Sequence, residues 1–158
     1  MTDQEMAHAL ALADDPVVHA ILAEVCEMTG MGFAAVARVT STRWIACQVL
    51  DKIEFGLEPG GELEIKKTIC DEIRDTRIGV IIDHVGGDDH WRTHPVPAIY
   101  GFESYISIPI VLADGTFFGT LCAIDPHPRE VSSHAVVATM TAYAGRIAEL
   151  IDRESVPS

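Results

Sequence analysis

The side chains best equipped for chemistry gather in the middle of the chain. Cys70 sits in KKTICDEIRDT, residues 66–76, on the apolar stripe of a short helical pattern with Ile69 and Ile73. A thiol there can contact a ligand or sense redox state if a cation or helix N-terminus lowers its pKa. A buried free cysteine is otherwise a small hydrophobe. His84, His90 and His94, with Asp83, Asp88 and Asp89, form the densest set of metal-ligating types, a mixture suited to zinc or iron. Among the histidines only His90 and His94 stand four apart, and Pro95 interrupts any helix there, so the set reads as a solvated acidic loop and no metal ligands are assigned. Asp83 or Asp88 can instead cap the turn that opens this loop. Trp91, Tyr100, Phe102 and Tyr105 follow, rings of the kind that line a site for a flat organic molecule, with a Tyr hydroxyl or His94 to orient it. The same rings could simply seal a core. The ligand-contact candidates are therefore Cys70, Asp83, Trp91, His94, Tyr100, Phe102 and Tyr105. No nucleophile-base pair, P-loop, dinucleotide fingerprint or metalloprotease motif is present, so no catalytic residue is assigned.

The elements that must position these residues centre on FESYISIPIVLADGTFFGTLCAID, residues 102–125. Ile106, Ile108, Ile110 and Leu112 alternate with Tyr105, Ser107, Pro109 and Val111, and Asp114-Gly115 supplies a hairpin turn. The second strand is apolar on both faces, so the hairpin belongs in the middle of a covered sheet. Pro109 suggests an edge or bulge, and Asp125-Pro126 organises the turn that follows.

Upstream, residues 1–29 read as two helical pieces broken at Asp14-Asp15-Pro16, where Asp caps and Pro fits the first turn. Val17, Ile21, Leu22, Val25 and Met28 mark the inward face, and Gly30 stops the helix. Strands follow at 33–40 and 43–50, with Trp44 able to face either way, then a looser stretch over 51–61 and short strands near 62–65 and 79–82. Residues 84–101 are the longest irregular stretch, a length that in a compact domain usually signals function or mobility. A final helix capped by Ser132 or Ser133 runs to about Arg153, with apolar positions on more than one face; the surplus suggests a partner helix and hence a homodimer. The architecture is α+β: a mainly antiparallel sheet of about six strands, helices on one face, small helix and long loop on the other.

Composition narrows the partners. The 158 residues suit one domain, and 48% hydrophobic with 22% charged residues excludes wholesale disorder. Eleven Lys and Arg against 24 Asp and Glu leave a formal charge of −13, which disfavours nucleic acid and anionic membranes. No apolar run approaches the roughly 20 residues of a membrane helix, and the acidic N-terminus is unlike a signal peptide, so a cytoplasmic location is expected. Cys26, Cys47, Cys70 and Cys122 include no CxxC pair, and their spacing indicates neither a zinc site nor a disulfide framework.

Across nearly its whole length the chain resembles a GAF domain, through its element order, TICDEIRDTRIGVIIDHVGGDDHW over 68–91, and the phrases YISIPI and GTLCAID within 104–126. The likeness is greatest to GAF domains at the sensory end of bacterial histidine kinases and cyclic-dinucleotide enzymes. It implies a six-stranded antiparallel sheet, a small-molecule pocket beneath the small helix and the 84–101 loop, and dimerisation through terminal helices. It leaves the ligand open, since GAF domains bind cyclic nucleotides, bilins, haem, amino acids, metals or nothing. The segment WRTHPVPAIYGF has His94 but lacks the cysteine of covalent bilin binders, and the Asn-Lys-Phe-Asp-Glu signature of phosphodiesterase GAF domains is missing. Cys70 lies near one cysteine of the free-methionine-sulfoxide reductases, without its companions. The expected function is non-enzymatic sensing, with the ligand under 84–101 coupled to the terminal helices of a signal-transduction protein whose output domain lies outside these residues. The other readings are a Cys70-dependent sulfoxide reductase and a ligand-free dimerisation domain.

Overall fold

In the computed structural model, which describes residues 4–40, 42–63, 73, 74, 76–95, 97 and 101–155, the chain opens with α1 (Gln4–Leu10) and α2 (Pro16–Thr29). Asp15 caps α2: its carboxylate accepts hydrogen bonds from Val17 N (2.8 Å) and Val18 N (3.1 Å), with Pro16 in the first turn. Gly30 ends α2 at φ +75°, its N–H donating to Cys26 O. The buried stripe is Val18, Ile21, Leu22, Val25, Cys26 and Thr29. Of the expected inward residues, Met28 is exposed and Val17 only partly covered, because the buried line runs through Val18 and Thr29, one position after each.

The strands are β1 (Phe33–Val39), β2 (Trp44–Asp51), β3 (Glu62–Leu63), β4 (Val80–Ile82), β5 (Ser104–Val111) and β6 (Phe117–Asp125). All neighbours pair antiparallel in the order β3-β2-β1-β6-β5-β4. The β5–β6 hairpin is central, as its two-faced apolarity requires, and β6 is buried along its whole length. Gly115 at φ +88° takes the turn, while Asp114 accepts from Thr116 N. Pro109 is tolerated within the sheet because β4 pairs only with Tyr105–Ser107 and ends before it.

Two apolar layers flank the sheet. On the proximal face, α1, α2 and the terminal helix α3 (His134–Ser155) pack on Ile106, Ile108, Ile110, Phe118 and Leu121. The expected surplus on α3 is largely absorbed here: Met140, Ile147 and Ile151 are buried, and Tyr143 and Leu150 pack partly against the same cluster. Gln48, buried on β2, donates to Leu12 O and Asp15 O and fastens the α1–α2 break to the sheet. The distal face carries Phe33, Trp44, Ile82, Val85, Trp91, Phe102, Tyr105, Cys122 and Ile124. Of the helix expected over 66–76, residues 73, 74 and 76 are described and helical, and Ile73 is fully buried in this distal layer.

Candidate functional site

Segment 84–95 folds down onto the distal face as two short 3-10 turns, Val85–Gly87 and Trp91–Thr93, and does not splay into solvent. Asp88 makes this possible: its Oδ1 accepts from His90 N (2.9 Å) and Trp91 N (3.1 Å), turning the chain so that Trp91 is buried. The Trp91 ring lies 4.7 Å from that of His90 and 4.8 Å from that of His94. Val85, Trp91, Ile82, Ile73 and the stacked Phe102–Tyr105 pair (5.2 Å) belong to one buried cluster. Among the described residues no three His, Cys, Asp or Glu side chains come together as a metal site.

The cavity lies at one end of the distal face, where Gly101 and Phe102 meet the segment after β2. Its volume is about 460 Å³, within the range of small-molecule sites. The 53–57 segment lines it as one wall, together with Phe102, Ile124, Asp125 and Pro126. The 53–57 wall owes its shape to Asp51, whose Oδ1 accepts from Ile53 N (3.1 Å) and Phe55 N (3.0 Å) and whose Oδ2 accepts from Gly56 N (2.9 Å). This wrapping holds Glu54 at φ +56° and Gly56 at φ +93°. The Phe55 ring then rests 4.8 Å from Phe33. Burial would raise the Asp51 carboxyl, but the amide hydrogen bonds outweigh it and hold its pKa below the ordinary 3.8. Stability linked to a depressed carboxyl is present above that value and is lost as pH falls through the folded pKa. Asp51→Ala is accordingly expected to cost about 1 kcal/mol and to speed amide exchange at 53–56, with the β5–β6 ladder still protected.

Asp125 is 3% exposed. Its Oδ1 accepts from Gly32 N (2.9 Å) and its Oδ2 from His127 N (2.9 Å), with His127 Nδ1 at 3.2 Å and Arg129 Nε at 3.4 Å. One carboxylate thus joins the cavity wall, the start of β1 and the connection leading into α3. That connection is pinned again by Ser104 Oγ, which donates to His127 O (2.8 Å).

Asp83 contributes the next fastening. Its Oδ1 accepts from Val131 N (2.7 Å) and Ser132 N (2.9 Å), its Oδ2 from Ser132 Oγ (2.5 Å), and its backbone oxygen from Arg129 N (3.0 Å). Ser133, not Ser132, caps α3, accepting from Val136 N. Asp83→Ala should fray the start of α3, raising amide exchange over 131–137 and lowering stability by about 2 kcal/mol, while the 53–57 wall keeps its protection.

Among the residues expected to contact ligand, Phe102 lines the cavity. Tyr105 stacks behind it, Trp91 and His94 form the neighbouring ring cluster, and the Asp83 carboxylate is engaged at the start of α3. Cys70 and Tyr100 lie outside the described residues. Residues 53–57 and Asp125, which line the cavity, are not among the candidates the sequence offers; Asp51 five residues before Gly56 is the local signal of a side-chain-wrapped turn. Cys26, Cys47 and Cys122 are buried. Burial pushes the Cys47 thiol up to about 12 and raises that of Cys26, which withholds the reactive thiolate from both at neutral pH. Native protein should therefore leave Cys47 unmodified by iodoacetamide at pH 8, whereas urea-unfolded protein is alkylated there, as peptide mass spectrometry would reveal.

No described helix is long and apolar enough to cross a membrane. Escherichia coli K12 diguanylate cyclase DgcP is 35% identical over 68 residues, 43% of this chain; the chain matches about a fifth of that relative's length, 20%. The GAF domain region of a Geobacter sulfurreducens protein superposes with a TM-score of 0.71 at 15% identity, covering 96% of this chain and 99% of that one. The chromophore-binding domain of the bacteriophytochrome RpBphP3 from R. palustris gives 0.71 at 15% identity, covering 95% of this chain and 59% of that one. These likenesses establish the fold, and the GAF domain family model matches residues 15–151. With a family match over most of its length and the antiparallel sheet between helical and loop layers, the chain belongs to the GAF domain family.

Proposed function

We propose that this GAF domain is a non-enzymatic, cytoplasmic small-molecule sensor of a bacterial signal-transduction protein, a histidine kinase or similar. Its ligand occupies the cavity between 53–57 and Phe102, and binding is felt by α3. The observation that carries this reading is that Asp125 and Pro126 form a cavity wall and also begin the 125–133 connection into α3. A ligand pressing on that wall acts on a segment tied to the sheet through Asp125, Ser104 and Asp83. Such a ligand shifts the helix only as far as it prefers one arrangement of the connection over another. The signal would leave through a homodimer of terminal helices: outward positions Ala135, Ala138, Ala142 and Gly145 of α3 are exposed and small enough for a second helix to approach closely.

A thermal-shift screen of small organic molecules tests the reading. A true ligand at a hundredfold its dissociation constant adds about 2.7 kcal/mol of stability, and Phe102→Ala should abolish the gain. A screen without hits would favour the ligand-free dimerisation domain. The Cys70-dependent reductase would reveal itself by sulfoxide turnover that alkylation stops; the sensor gives none.

A further inference from the structure

We infer that the cavity selects an aromatic amine over the matching aromatic carboxylate, an inference that rests on reading the cavity as the sensing site. Phe55 and Phe102 with Ile53, Leu57 and Ile124 offer flat apolar walls, which suit one or two fused rings. The ionisable groups among the described lining residues are Glu54 and Asp125, with no Lys, Arg or His. They differ in what they can give a ligand. The buried Asp125 carboxylate is engaged by two backbone amides and lies beside Arg129, so its charge is already answered from within the protein. Glu54 stands exposed at the rim, held there by the turn that Asp51 wraps. A ligand ammonium placed near Glu54 gains a partner while its ring stays between Phe55 and Phe102, whose faces also favour a cation. A ligand carboxylate meets Glu54 and the −13 charge of the whole chain, and Arg129 behind the wall is already committed to Asp125.

Tryptamine, tryptophol and indole-3-acetate share one ring system and differ in charge, so calorimetric titration of the intact protein with each separates charge from shape. Tryptamine should bind about fivefold tighter than tryptophol, the advantage of one partly exposed ion pair, and indole-3-acetate more weakly than either. Glu54→Gln should bring tryptamine down to tryptophol and leave tryptophol unchanged; high salt should do the same. Phe102→Ala should weaken all three alike. Indole-3-acetate binding as tightly as tryptamine, or an amine preference that survives Glu54→Gln, overturns the inference. If none of the three binds while other molecules stabilise the protein in a Phe102-dependent way, the inference fails and the sensing reading stands. If nothing binds at all, both fail.

Discussion

Replacing Gly119 by alanine is expected to cost about 3 kcal/mol or more. Gly119 lies within β6 opposite Arg38 of β1 and Ile110 of β5, next to the register irregularity at Ile110/Val111. A methyl group there would come within 1.8 Å of the Ala37 carbonyl oxygen and 2.8 Å of its carbon. Both are backbone atoms in a buried strand, so no side-chain rotation relieves the overlap and β1 must separate from β6. The urea midpoint should fall with an unchanged slope, and the melting temperature should drop by roughly 6–12 °C. Gly145→Ala is the matched control. Within one protomer nothing lies within 4 Å of its would-be Cβ on α3, and alanine there should stabilise the monomer by about 0.5–1 kcal/mol.

Asp125→Ala should be comparably damaging, about 3 kcal/mol. The substitution strips the acceptor from the amides of Gly32 and His127 and leaves Arg129 beside an apolar methyl. Asp125→Asn preserves shape and can still accept from Gly32, but its amide group then faces the His127 N–H, donor against donor, so rescue should be partial. Because Asp125 stands on the cavity wall and at the start of the connection into α3, exchange should rise over 126–133 as well as at Gly32. A loss confined to Gly32 would mean that Asp125 serves β1 alone.

The contrast between Gly119 and Asp83 explains what could be read from the sequence. Hairpin, capped α2 and alternating Ile106-Ile108-Ile110 face all follow from neighbours within a few residues: Asp114-Gly115 turns, Asp15-Pro16 caps, strand parity sorts the faces. Asp83 opens a polar-aromatic loop, yet its carboxylate reaches Val131 and Ser132, about fifty positions away, and no local pattern announces such a partner. The cavity was displaced for a similar reason. Trp91 has the ring to line a site, and the turn that Asp88 makes buries it in the cluster that holds Ile82 and Tyr105. The open volume arises instead where 53–57, folded around Asp51, stands off from Phe102, a juxtaposition of segments far apart in the chain.

The central claim, a cavity that takes a small molecule and reports it to α3 through 125–133, is tested most directly by a fragment screen read on backbone amide resonances. Fragments that shift the amides of 53–57 and 101–102 should also shift those of 127–136, and Asp83→Ala should weaken the second response while sparing the first. Fragments whose effects stop at the cavity wall, or a library that leaves the 53–57 amides unmoved, would contradict it.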